Sequence, residues 1–325
     1  MQKPQINKAI PLESFMDGCL KNYYTNANAI GASGDFITAP EVSQLFGESI
    51  GLWFLNRMMF DENTKPFAFA ELGPGRGLLL QDVLKVFKLR PNLMELLELQ
   101  AVEIHPTFKD LQTKAVNPQP IQHHPTIKDL LKTIAPRPLY CMANEFFDTY
   151  PIEQYIFQGH TWLKRAVHFD GKKYRWTTLE TNPPKVDSYP QPKEGDILEV
   201  CPSLLEDYNL LQEYILKHGG ALLSVDYGYT NFLYGDSFQA LSKHKFVDPL
   251  ENPGQADLTA HVNFAALKSM TDPALNARVM TQSEFLISMG IHIRAQQLIF
   301  ANPTEKETID GQVNRLIGTE AMGDL

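Results

Sequence analysis

The sequence lacks the cysteine pairs that staple a secreted scaffold or hold zinc. Its three cysteines, Cys19, Cys141 and Cys201, stand far apart with no CxxC. That sets aside a disulfide framework and a structural zinc site, and makes a reducing compartment the expectation. No apolar run approaches the roughly 18–20 residues that a membrane-spanning helix needs, so no membrane insertion is expected. The amino terminus, MQKPQINKAIPLE, has neither an apolar signal core nor an Arg-rich presequence, and the expectation is a protein that stays where it is made. Positive charge is short as well. Against 38 Asp and Glu stand 29 Lys and Arg, a net charge of −9, which argues against nucleic acid and anionic lipid as partners. Internal repeats, low-complexity tracts and coiled-coil heptads are missing too.

What is there is an ordinary globular composition, 43% hydrophobic and 21% charged over 325 residues, enough for one large α/β domain with insertions or for two domains. Residues 10–30 and 41–60 carry apolar positions at helical spacing, among them Val42, Leu45, Phe46, Ile50, Trp53 and Phe54. Between them runs the glycine-rich GASGDFITAPE, with Thr38 as an N-cap, Pro40 in the first turn and Glu41 at the positive end of the helix dipole. From Pro66 strands and helices alternate. PFAFAEL, LELQAVEI, QPIQHH, PLYCMANE and ALLSVDYG read as strands, LLLQDVLKVFKL and 203–217 as helices, the last ending at Gly219–Gly220. That order predicts an α/β fold with a parallel, doubly wound sheet. Residues 155–200 differ: period-two runs around Asp170–Gly171 predict an antiparallel hairpin insertion, followed by a Pro-rich connector. Residues 235–280 read as irregular with helical pieces, and TQSEFLISMGIHIRAQQLIF as a helix followed by a final strand.

ELGPGRG (71–77) directly follows the first strand of this series. Glycines at that place allow a tight turn and close approach of a ligand, while the helix behind them offers unpaired N–H groups. The spacing then separates ligands. Gly73, Gly75 and Gly77 give GxGxG, not the GxGxxG of a dinucleotide site, and no lysine follows as a phosphate loop requires. GxGxG preceded by an acid, here Glu71, is the first motif of Rossmann-like methyltransferases that hold S-adenosylmethionine. Glu103 ends the second strand, where a carboxylate accepts from ribose hydroxyls. ANEFFD (143–148) ends the fourth, bringing Asn144, Glu145 and Asp148 to the edge where open α/β sheets place ligands. His123–His124 lack metal-ligand spacing and read as a strand edge. Ser43 and Ser224 lack the GxSxG elbow of a hydrolase, and Asp226 reads as a cap of the sheet. A glycine turn without a ligand, and a nicotinamide-dependent oxidoreductase, are the alternatives.

GDFITAPEVSQLFGE (34–48), ELGPGRG, ANEFFD, LLSVDYG (222–228) and DPLENPGQADLTAHVNFAAL (248–267) occur in this order. Together they resemble the MidA-like family, also called the DUF185 methyltransferases, from about residue 10 to the carboxyl terminus. The resemblance implies a class I, S-adenosylmethionine-dependent methyltransferase core. It divides the chain into a helical segment at 1–62 with a GDFITAPE lid over the cofactor site, and a methyltransferase domain at 63–325 with insertions at about 150–200 and 230–280. Gly34, Asp35, Thr38, Pro40 and Glu41 match the lid, and Asp257, Thr259 and His261 match the DLTAHV block. The family's mitochondrial members are complex I assembly factors that methylate an arginine of a complex I subunit, which implies a protein substrate of that kind. The implied place is the cytoplasm of a bacterium, or the mitochondrial matrix for a eukaryotic mature form; a homodimer stays open. Where many members carry Trp-x-Glu-Arg, this chain has Trp162-Leu163-Lys164-Arg165.

Guanidinium is a poor nucleophile, and carboxylates can clamp it while methyl is transferred. The catalytic candidates are therefore Glu145, Asp148 and Asp35, with His261 as a base or electrostatic contact. A lone His beside Val262 and Phe264 also fits a satisfied core residue. A methyltransferase fold kept as an assembly chaperone with little turnover is the alternative from another functional class.

Overall fold

The computed structural model describes residues 8–25, 38–61, 65–182, 184–242 and 245–323. The chain divides into two compact units. One comprises the described part of Met1–Phe36 with Phe146–Tyr208 and Asp226–Thr271; the other comprises Ile37–Glu145, Asn209–Val225 and Asp272–Leu325. The boundary drawn at residue 62 thus lies inside the second unit, and the two insertions lie largely in the first.

The second unit is built on a parallel sheet. In chain order its elements are helix α1 (Gln44–Phe60), strand β1 (Phe67–Leu72), helix α2 (Leu78–Phe87), strand β2 (Leu97–Val102), helix α3 (Pro106–Val116), strand β3 (Ile121–His124), helix α4 (Ile127–Ile134), strand β4 (Leu139–Asn144), helix α5 (Pro202–His218), which ends in this unit, and strand β5 (Gly220–Val225). The strands lie in the order β5-β4-β1-β2-β3, all parallel. The register sets Leu72 against Ala143 and Val102, Val102 against His124, and Asn144 against Val225, so the carboxyl ends share one edge. The order reverses between β1 and β4, the switch point at which such sheets open a crevice.

β1 is buried at all six positions, which explains its unbroken FAFAEL run in place of an alternation. Phe69 meets Phe54 of α1 and Phe87 of α2 edge-on, with ring centroids 5.0 Å apart in both pairs. α1 and α2 approach closely because α1 carries Gly47 and Gly51. A Cβ at Gly47 would stand 2.5 Å from Asp82 Cβ, and one at Gly51 3.0 Å from Val86 Cβ.

The carboxyl-terminal stretch corrects one reading. Residues 282–301 form two helices, Gln282–Ser288 and Ile291–Ala301, and no final strand. The Ile-His-Ile-Arg alternation imitates a strand, but Ile291 and Ala295 are the buried positions, four residues apart as a helix face requires. Gly290, at φ 81, turns the chain between the two helices, and Thr281 with Glu284 forms a capping box at the start of the first.

In the first unit an antiparallel sheet joins Ile10–Pro11, Thr161–Phe169, Glu153–Gln158 and Ile197–Val200, with Tyr174–Leu179 paired to Thr161–Phe169. The hairpin bends at Asp170–Gly171, where Asp170 Oδ1 accepts from the N–H of Lys172 at 2.8 Å and of Lys173 at 2.9 Å. Lys164 bridges Glu13 at 2.7 Å and Glu153 at 3.0 Å. The 235–280 stretch holds a small sheet of Gln239–Ser242, Lys245–Val247 and Asp257–Thr259, strands too short to signal themselves by pattern. Among the described residues no helix is long and apolar enough to cross a membrane.

Candidate cofactor and active site

The glycine turn leaves β1 at the switch point. Gly73 N–H donates to the carbonyl of Val102 at 3.0 Å, and Gly77 N–H to that of Pro74 at 2.8 Å, closing the turn onto the end of β2. Gly73, Gly75 and Gly77 have φ of 63, 52 and 82, the left-handed region that L side chains avoid. Gly77 also has no room: a Cβ there would meet Gln112 Cα at 3.2 Å. Gly75 is the opposite case, with nothing within 4 Å of the place a Cβ would take. Its backbone faces open space that a ligand can approach.

Glu71 lies under this turn, not beside the open space. It is 3% exposed, and its carboxyl accepts from the backbone N–H of Leu80 in the first turn of α2, one of the donors a helix start leaves unpaired. Burial pushes its pKa up to about 8, so at neutral pH it is mostly a neutral acid that ties the end of β1 to α2.

Glu103 follows β2. One oxygen accepts from the N–H of His105 at 2.8 Å, the other from Gln112 Nε2 at 3.0 Å. Gln112 Nε2 also donates to the carbonyl of Gly75 at 2.8 Å. Both amide protons are thereby engaged, so Gln112 Oε1 accepts from His123 Nε2–H, 2.9 Å away. Burial lowers the His123 pKa, which suits this neutral, Nε2-protonated form. Glu103, Gly75 and the end of β3 are locked into one network through a fully buried glutamine. The sequence held a signal for it: Phe108, Gln112 and Val116 are the buried positions of α3, and a glutamine in an apolar i, i+4, i+8 stripe needs polar partners. Ile104, beside Glu103, is 64% exposed.

At the end of β4, Asn144 Oδ1 is buried with no hydrogen-bond partner among the described residues. Glu145 donates its N–H to Val225 of β5 at 2.9 Å and has φ 45. For a residue with a side chain that costs of order 1–3 kcal/mol and persists where its surroundings over-determine it.

Of the lid candidates, Gly34 and Asp35 lie outside the described residues. Thr38 is the N-cap of the short helix Ala39–Val42 without a side-chain cap bond. Pro40 and Glu41 line a cleft of about 440 Å³ with Leu298, Asn302, Glu305 and Gln312. Ser43 breaks the helical run expected at 41–60; its Oγ donates to Gln312 at 2.9 Å and caps α1 through Leu45 N–H.

In the first unit, Asp148 is buried, and its carbonyl accepts from Ala260 N–H at 2.9 Å. That joins the turn after β4 to the loop carrying His261. His261 is exposed, not a core residue; its N–H donates to Ser237 Oγ at 2.9 Å, which in turn donates to buried Glu199.

Residues 49–282 match the family described as S-adenosyl-L-methionine-dependent methyltransferases. The chain belongs to that family. It is 32% identical to the protein arginine methyltransferase NDUFAF7, mitochondrial, of Xenopus tropicalis over 332 residues, covering 94% of this chain and 77% of that protein. The Danio rerio protein of the same name is 31% identical, with 97% and 81% covered. A crystal structure of a Burkholderia thailandensis protein bound to S-adenosyl-homocysteine has the same fold, at a TM-score of 0.80 and 20% identity, covering 98% of this chain and 86% of that one. The protein is thus an S-adenosylmethionine-dependent methyltransferase, and the oxidoreductase alternative falls away.

The residues present fit that cofactor. The open space over Gly75, the N–H groups at the start of the ten-residue α2 and the orphaned Asn144 Oδ1 offer an unhindered backbone, donors for a carboxylate and an acceptor for an ammonium.

Proposed function

We propose that this methyltransferase acts on an arginine side chain of a protein, with Glu145 and Asp148 holding the guanidinium. The substrate class is supported by the name its relatives share, protein arginine methyltransferase, and by two carboxylates within four residues after β4. In the same reading, the glycine turn and the start of α2 take the cofactor's carboxylate end, and Asn144 takes its ammonium. Glu103 keeps lone pairs for ribose hydroxyls, while exposed Ile104 offers the base an apolar face. Thr38, Pro40 and Glu41 belong to the cofactor side of that reading, and His261 contributes at the acceptor. Glu71 serves the cofactor from below, by fixing the turn.

S-adenosylmethionine, when bound, supplies an electrophilic methyl carbon on a sulfonium. The protein's share is alignment and exclusion of water. A guanidinium stays protonated at neutral pH, so an acceptor nitrogen has to be made nucleophilic by its surroundings. Carboxylates gripping the cation draw its charge away from the attacking nitrogen, and one of them takes the proton that this nitrogen sheds on transfer. The finer expectations go with this reading: a complex I subunit as target, the mitochondrial matrix or a bacterial cytoplasm as location, and a homodimer.

The test is mass spectrometry of a cell lysate incubated with the protein and isotope-labelled S-adenosylmethionine. The expected result is labelled methylarginine on few proteins. Label on lysine or histidine alone would overturn the substrate class. Binding of S-adenosylhomocysteine without transfer would favour the assembly chaperone.

A further inference from the structure

Asp226 directly follows β5, and the sequence alone offers it only as a cap of the sheet. It is 2% exposed, and its carboxylate holds a turn rather than a strand end. Oδ2 accepts three successive backbone N–H groups, those of Phe146 at 3.2 Å, Phe147 at 2.9 Å and Asp148 at 3.3 Å. Oδ1 accepts from Tyr227 N–H at 3.1 Å. The three donors converge because Phe147–Thr149 is a single turn of 3₁₀-helix, whose opening N–H groups have no partner within the turn. One buried oxygen satisfies all of them. The residue before it, Val225, accepts the N–H of Glu145. The last residue of β5 and the residue after it thus hold the peptide groups on both sides of Glu145, the one residue of the ANEFFD motif with a left-handed backbone.

We propose that Asp226 is a positioning residue for methyl transfer, its carboxylate setting the Phe146–Asp148 backbone and thereby the directions of the Glu145 and Asp148 side chains. The proposal rests on the reading that those two carboxylates serve the acceptor.

Asp226→Asn tests it, because it keeps one acceptor oxygen and turns the other into an NH2 group that cannot accept and faces a backbone donor in either orientation. Three quantities are read: S-adenosylhomocysteine affinity by calorimetry, hydrogen exchange of the peptide spanning 146–149, and methyl transfer to lysate protein. The expected result is affinity close to wild type, with exchange of that peptide faster and turnover lower, each by roughly 10–100-fold, the weight of a buried N–H donor left without its acceptor. Exchange in β1 stays unchanged, and Asp226→Glu, which keeps two acceptor oxygens, shows smaller changes in both than Asp226→Asn. Unaltered exchange, or affinity and turnover falling together, overturns the proposal; so does failure of both variants to fold. If wild type transfers no methyl, the functional reading fails, while exchange and affinity still decide whether Asp226 sets the turn.

Discussion

Replacing Glu71 by Gln removes a titrating proton from beneath the glycine turn and keeps an oxygen to accept from Leu80 N–H. The wild-type carboxyl has a folded pKa of about 8 against an ordinary value near 4.3 when unfolded. Below the unfolded value it is neutral in both states. Between the two values the folded state alone holds the proton, so stability falls as pH rises; above the folded value the loss is constant. Each pH unit between the two values is worth about 1.36 kcal/mol, so the loss is on the order of 5 kcal/mol, and roughly half of it falls between about pH 6 and pH 9. The variant carries no such slope. Whatever fixed offset the new amide N–H groups add, the variant's stability relative to wild type should rise by that amount over the interval. Urea unfolding followed through Trp53, which lies in the same unit as Glu71, in a Trp162→Phe/Trp176→Phe background, measures it. A gap that does not change with pH would mean that Glu71 is ionised in the folded protein, and the account of the turn would be wrong.

Gly75→Leu places a side chain in the open space over the turn; S-adenosylhomocysteine affinity should drop at least roughly tenfold, while the left-handed backbone costs about 1–2 kcal/mol of stability. Equal affinity would remove the turn from the cofactor site. Gln112→Leu keeps the volume and cuts the links to Gly75, Glu103 and His123, leaving buried partners unpaired at about 1–3 kcal/mol each; weaker cofactor binding by calorimetry is expected, and unchanged binding refutes the network's role. Glu145→Gln should lower single-turnover transfer at least about tenfold, as loss of one charged contact made at the reacting group, with cofactor affinity kept. An unchanged rate takes Glu145 off the list.

Much of the second unit is legible because its strands advertise themselves. PFAFAEL, LELQAVEI and PLYCMANE are buried on both faces and bounded by helices and turns, which only a parallel sheet explains. The GxGxG spacing and the chain order then point to the crevice. What stays hidden depends on partners distant in sequence. Gln112 gains meaning only when α3 brings it to Gly75 and Glu103, and Asp226 only when the turn after β4 presents three N–H groups to it. Glu71 looks like a ligand because the motif places it before the glycines, but a strand buried on both faces, as β1 is, does not tell which face lies under a turn. The strands within 235–280 are three or four residues long and exist by pairing with each other. Ile291 and Ile293 alternate as strand residues do, and only the burial of Ala295 with Ile291 reveals a helix.

The seam at Gly47 and Gly51 brings the main chain of α1 against the side-chain roots of α2, leaving α2 no slack to slide along its axis. Its amino-terminal donors therefore keep their aim whether or not an anion arrives. Little conformational entropy is then lost on association, and affinity differences among cofactor analogues report the atoms they add or lose rather than the rearrangement they impose.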